Sequence, residues 1–207
     1  VHDYSVNLIY IIDISDPDAP SVYNQWAVPN MVSGGPGHMM IDGTLLYLPC
    51  GENRTLRIYN LANLAAVSEV GSVSTVNEAY GNAVKIGSYV YVVGGTTLRV
   101  FDVSNPAAPA YRGNVAVSNW AIIRGKNGKL FLFEGGTPTV RVYSLANPEV
   151  PVVEASSTVS FSGPTGALGI TPLSWVSSEW VGNYLVGMTY GSAAAYSGAR
   201  ALDFTVN

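Results

Sequence analysis

Apolar and polar residues alternate over strand-length stretches along most of the chain, and no stretch shows the 3.6-residue spacing of a helix. The clearest stretch is residues 98–109, LRVFDVSNPAAP. Val100 and Val103 lie in an alternating run that reads as a half-buried strand, and Asp102, Ser104, Asn105 and Pro106 supply local hydrogen bonds and a fixed φ that end it in a turn. The same pattern returns at residues 9–20 (IYIIDISDPDAP), 56–67 (LRIYNLANLAAV), 140–151 (VRVYSLANPEVP) and 199–207 (ARALDFTVN). Its anchors are Asp13, Asn60, Asp102, Ser144 and Asp203, separated by 47, 42, 42 and 59 residues.

A period in the low forties is the spacing of one four-stranded propeller blade. The expected fold is therefore an all-β propeller forming a single domain over residues 1–207, with blade units at about 1–30 (partial), 31–76, 77–118, 119–162 and 163–207 (partial). Each complete unit reads as four strands, with turns at Gly43-Thr44, Gly87-Ser88 and Gly94-Gly95 and a longer hairpin loop at residues 125–128. Nothing before Leu8 reads as the two strands that should precede it, and the last unit stops at its third strand. Seventeen strands are visible in the sequence where a closed five-bladed ring needs about twenty, so the expectation is an incomplete or excerpted ring. Alternatively the ends share one blade, residues 1–15 pairing beside residues 184–189. The apolar segment at residues 161–174, FSGPTGALGITPLS, interrupts the period, and is expected to cover the channel mouth or the open edge of the last blade.

The run Leu98-Arg99-Val100-Phe101-Asp102-Val103-Ser104-Asn105-Pro106 resembles the signature of the LVIVD-repeat β-propellers, as does Ile11-Ile12-Asp13-Ile14-Ser15-Asp16-Pro17. Residues 140–151 keep the prolines but have Ser144 at the anchor, and residues 56–67 lack both prolines. The resemblance implies a propeller fold and a secreted or surface habit, and it implies no activity, because fold does not fix function.

Composition narrows the partners. Only 12% of residues are charged, so the polar surface must be built largely from Ser, Thr, Asn and Gly, which suits an extracellular, cell-surface or virion setting. A net charge of −4 with ten scattered Lys and Arg disfavours nucleic acid, and the apolar runs are too short to insert across a bilayer. Cys50 is the only cysteine, which excludes an internal disulfide and any multi-cysteine metal site. The chain starts at Val1 without an initiator Met or a signal peptide, so a processed product or an excerpt is expected.

In a propeller the loops entering each first strand and those joining second to third strands gather on one face. That face is expected to carry Met31, His38, Glu52, Tyr80, Trp120, Glu134, Trp175, Trp180, Tyr190 and Tyr196. Its aromatics can stack on sugar rings or pack on protein, and the proposed partner-binding set is Trp120, Trp175, Trp180, Tyr80, Tyr190, Tyr196 and His38. The competing reading is that Trp120 and Trp180 seal blades against each other. Glu52, Glu134 and Glu179 lie in no acid-rich motif, His38 alone could serve a triad, and no serine sits in a GxSxG elbow, so catalysis is disfavoured.

Asp13, Asp16 and Asp18 resemble the spacing of a calcium loop but lack its Gly and distal Glu, and repeated Asx-turns explain them better. No metal or cofactor is expected. Arg57, Arg99, Arg141 and Arg200 recur at one third-strand position, where they are expected to bridge blades or pair with the turn acids. The function expected is non-catalytic recognition or adhesion towards protein or surface glycan, as on a cell surface or a phage tail fibre. The alternatives are a purely structural assembly domain and an extracellular glycan-active hydrolase.

Overall fold

The computed structural model describes residues 2–3, 8–29, 38–50, 54–74, 82–117, 121–134, 139–158, 174–182, 184–190 and 198–203. Among these residues there is no helix, and the strands form five antiparallel sheets. Sheet 1 contains β1 (His2–Asp3), β2 (Leu8–Asp13) and β3 (Ser21–Ala27). Sheet 2 contains β4 (Met40–Asp42), β5 (Leu45–Cys50), β6 (Thr55–Asn60) and β7 (Ser68–Ser74). Sheet 3 contains β8 (Ala83–Ile86), β9 (Tyr89–Gly94), β10 (Thr97–Asp102) and β11 (Ala110–Ala116). Sheet 4 contains β12 (Ala121–Lys126), β13 (Lys129–Glu134), β14 (Thr139–Ser144) and β15 (Val152–Thr158). Sheet 5 contains β16 (Ser174–Val181), β17 (Tyr184–Tyr190) and β18 (Gly198–Asp203).

Successive sheets pack face to face. First strands contact one another in the series β4–β8, β8–β12 and β12–β16, and fourth strands meet at β7–β11. Ile9 and Val28 of sheet 1 share a core cluster with Leu46, Leu48, Cys50 and Tyr59 of sheet 2. Tyr47, Leu56 and Ile58 join sheet 2 to Val90, Phe101 and Val103, and Tyr91, Val93, Leu98 and Val100 join sheet 3 to Ile123, Leu130, Leu132 and Tyr143. Middle strands are thus covered on both faces, which explains the unbroken apolar runs of β5, β9 and β13. Each Leu, Val or Phe buried in this way contributes about 1.5–3 kcal/mol. Fourth strands lie at the rim with every second residue or more exposed, and their Ser, Asn and Glu content follows from that position.

The turn after the third strand is built identically in four sheets. Asp13, Asn60, Asp102 and Ser144 accept the backbone N–H two residues on, from Ser15, Ala62, Ser104 and Ala146, at 2.9, 2.8, 2.9 and 3.3 Å. Three residues later Asp16, Asn63, Asn105 and Asn147 do the same for Asp18, Ala65, Ala107 and Glu149. The strand therefore ends in two successive Asx-type turns. Past each turn the fourth strand carries one extra residue, a β-bulge at Tyr23, Val70, Arg112 and Glu154.

Three expectations are revised. A short strand, β1, does precede Leu8 and pairs with Leu8 and Ile9, making eighteen strands among the described residues. Among the described residues the ends do not share a blade: β17 is flanked by β16 and β18, and β2 lies between β1 and β3. The expected loop at residues 125–128 is a two-residue turn, because β12 continues through Lys126 and pairs with Lys129. Asn127 and Gly128 take φ of 50° and 70°, the left-handed pair of a type I′ hairpin. Of the insertion at residues 161–174, only Ser174 lies within the described residues, as the first residue of β16.

Candidate functional site

Every sheet has two ends. At the turn end lie the first hairpins and the Asx turns; at the loop end the chain enters first strands and leaves second strands. His38, two residues before β4, is exposed at the loop end of sheet 2. In sheet 5 the register sets Ser174 opposite Tyr190 and Trp175 opposite Thr189, so Trp175 and Tyr190 share the loop end. Trp180 does not join them. It pairs with Leu185 beside the hairpin at Gly182, five strand positions or about 17 Å from Trp175, at the turn end. Tyr80, Trp120, Tyr196, Met31 and Glu52 lie outside the described residues.

The candidate carboxylates are not gathered by the backbone. Glu134 ends β13 at the loop end, opposite Ala121 and Thr139, whereas Glu179 pairs with Val186 near the turn end of the next sheet. The acids whose contacts are described serve the joints between strands and sheets. Glu69 binds Arg57 at 2.7 Å, Asp42 binds Lys85 at 2.7 Å and Glu154 binds Lys129 at 2.8 Å. Arg112 holds Asp102 at 2.6 Å and reaches Glu149 of the next sheet at 3.2 Å. Its hydrogen bond, with the N–H of Ser104, pushes the Asp102 carboxyl down to about 2. Among the described residues no group of three or more His, Cys, Asp or Glu side chains could hold a metal. Burial pushes the Cys50 thiol up to about 12, which removes it as a nucleophile at neutral pH.

Beneath the loop end lies a layer of arginines. Arg57 crosses to sheet 1 and donates to the carbonyl oxygen of Pro29 at 3.3 Å, which fulfils the blade-bridging expectation for that residue. Its acid partner is Glu69 of the fourth strand, not a turn acid; the turn acid Asp102 is taken instead by Arg112. Arg99 is 3% exposed and faces the Gly94 carbonyl at 3.5 Å. Arg124, on the first strand of sheet 4, donates to Asn82 Oδ1 of sheet 3 at 2.5 Å and to the Ile123 carbonyl at 2.7 Å. Lys126 donates across to the Gly182 carbonyl of sheet 5.

A second recurring contact has no counterpart in the sequence reading. The carbonyl four residues past Asn60, Asp102 and Ser144 faces the preceding sheet. Asn24 donates its Nδ2–H to the Leu64 carbonyl at 2.6 Å, and Tyr91 donates its hydroxyl to the Pro148 carbonyl at 3.0 Å. Gly71, at the position of Asn24 in the next repeat, lies so close that a Cβ there would sit 2.5 Å from the Pro106 carbonyl oxygen. The signal available in the sequence was the fixed offset of Asn24 and Gly71 from their anchors, which carries no chemistry until the neighbouring sheet is in place.

Face-packed, four-stranded antiparallel meanders joined in series are the blades of a propeller-type fold. A family model of the LVIVD repeat matches residues 5–26 and 81–117, within sheets 1 and 3. No curated protein sequence matches the chain. Among solved structures, a candidate 6-phosphogluconolactonase of Bacteroides uniformis aligns with a TM-score of 0.62 at 15% identity, over 76% of this chain and 50% of its own. Hydrazine synthase of Kuenenia stuttgartiensis gives 0.56 at 16% identity over 82% and 46%, and glutaminyl cyclase of Myxococcus xanthus gives 0.52 at 17% over 74% and 61%. The chain spans about half the length of the first of these structures. At such identities the likeness carries the fold alone.

Proposed function

We propose that the chain is a non-catalytic recognition module that binds protein or glycan through the loop ends of its blades, in an extracellular, cell-surface or virion setting. The observation that supports this most is the register of sheet 5, which sets Trp175 and Tyr190 at one strand end, the same end at which His38 is exposed on sheet 2. Tyr80, Trp120 and Tyr196, which lie outside the described residues, belong to the proposed surface on the sequence reading alone. Five of the described acids, Asp42, Glu69, Asp102, Glu149 and Glu154, are engaged in ion pairs between strands or sheets, which weighs against those five forming a carboxylate pocket. Stiff aromatic side chains in Ser- and Gly-rich loops suit contact with sugar rings or a protein surface.

The test is a glycan array and a cell-surface binding assay with Trp175→Ala and Tyr190→Ala, using Trp180→Ala as the control from the opposite end. Loss of binding in the first two, with binding retained in the third, supports the loop end. Equal loss in all three, or no binding by the unaltered chain, sinks the reading. A second reading, hydrolysis of a lactone, is favoured only by the name of a structural neighbour. Turnover of a lactone panel that survives in Trp175→Ala would favour it.

A further inference from the structure

Neighbouring sheets meet at one recurring pair of positions. Trp26, Val73 and Val115 stand on fourth strands at one offset from the anchors Asp13, Asn60 and Asp102. Tyr59, Phe101 and Tyr143 each precede the anchor of the following sheet. Val73 packs into the cluster that holds Phe101, and Val115 into the cluster that holds Tyr143. Between sheets 1 and 2 the same two places are taken by Trp26 and Tyr59, whose ring centroids lie 5.7 Å apart with the planes at 55°. Phe101 is completely buried, so the repeat needs no hydroxyl at this place. Tyr59, 3% exposed, brings one there, and Trp26 adds an indole N–H. Both polar atoms are buried, and neither has a hydrogen-bond partner in the protein.

An indole N–H can only donate, whereas a phenolic hydroxyl donates or accepts. Burial pushes the Tyr59 hydroxyl up, so it keeps its proton at neutral pH and remains a donor. The acceptors around the pair are already engaged. Glu69, opposite Tyr59 in the register, takes Arg57 on Oε2 at 2.7 Å, and the Pro29 carbonyl takes the other Arg57 nitrogen at 3.3 Å. The Leu48 carbonyl takes the Cys50 thiol at 3.6 Å. Buried polar groups that the chain cannot match are matched in folded proteins by a trapped water, which needs two or more polar partners. We infer that the joint between sheets 1 and 2 is a buried site for one water molecule, which bridges the Trp26 indole N–H and the Tyr59 hydroxyl. Arg57 and Glu69 neutralise each other beside it, so the site suits a neutral acceptor and not a halide. The next joint, where Val73 and Phe101 offer no polar atom, closes dry.

Tyr59→Phe installs the residue that sheet 3 uses at this place, keeping the ring and removing the hydroxyl. With a bridging water the variant should lower Tm by about 2–4 °C. An unmatched hydroxyl predicts a rise instead, and a rise overturns the inference. Trp26→Phe removes the indole N–H. Combined with Tyr59→Phe it should lower Tm by less than the sum of the two single losses, because both act on one water; strict additivity overturns the inference. Nuclear magnetic resonance reads the water itself. The indole resonance of Trp26, assigned by its absence from Trp26→Phe, should show cross-relaxation with water of the sign given by a long-lived bound molecule, and should lose it in Tyr59→Phe. Absence of that signal from the unaltered chain overturns the inference. Replacing chloride by gluconate at constant ionic strength should leave Tm unchanged, and a chloride-dependent Tm that Tyr59→Phe abolishes would overturn it in favour of an anion.

Discussion

At the scale of single residues the anchor position shows how one structural task is met by different side chains. Asp13, Asn60, Asp102 and Ser144 all accept the same backbone N–H, so the turn needs an oxygen and not a charge. The charge of Asp102 serves the ion pair with Arg112, and that pair sets its pH dependence. Its carboxyl lies at about 2 in the folded chain against 3.8 for the free group. The unfolded state therefore binds a proton first as the pH falls, and the contribution to stability is complete above about pH 4 and gone near pH 2. Asp102→Asn should keep the turn, as Asn60 does, and lose no more than about 1 kcal/mol at pH 7, since Arg112 is 41% exposed and retains Glu149. Urea unfolding of both chains between pH 2 and 7 checks this. The two stabilities should converge at the acid end, and a gap that stays constant with pH would contradict the ion-pair account.

At the scale of elements most strands were readable, because alternation and turn residues are local signals. One misreading turned on a glycine. Gly125 looked like part of a turn, yet it lies inside β12 because a Cβ there would meet Ile86 Cδ1 at 2.7 Å; the absent side chain makes room for the neighbouring blade. Gly71, which the sequence left unremarked, is packed more tightly still, since its close neighbour is the Pro106 carbonyl of the sheet 3 turn, which is backbone and cannot swing away. Gly71→Ala should therefore force sheets 2 and 3 apart and cost about 1–3 kcal/mol. Asn24→Ala removes one latch hydrogen bond without adding bulk and should cost about 0.5–1.5 kcal/mol. Thermal and urea unfolding of the two variants ranks them, and a neutral Gly71→Ala would mean that the latch is loose in solution.

At the scale of the whole molecule the anchor spacing made the five repeats and the propeller architecture legible, while the candidate site was legible only in part. Trp175 and Trp180 look equivalent in sequence, and only the register of β16 against β17 separates them to opposite ends. Spacing also could not reveal that the blades are covered unequally, because burial depends on a neighbour tens of residues away. Arrays of this kind gain stability from each unit and from each interface, so a blade flanked on both sides is held more firmly than one flanked on one side. Sheet 3 is flanked by sheets 2 and 4, and Val90, Tyr91, Val92, Leu98, Val100 and Phe101 on its middle strands are completely buried. In sheet 1 Ile9 is the only buried residue of β2. Native-state hydrogen exchange should accordingly show β9 and β10 opening only with global unfolding, and β2 and β3 opening at a fraction of that free energy. Uniform protection of all five sheets would show that the array unfolds as one unit.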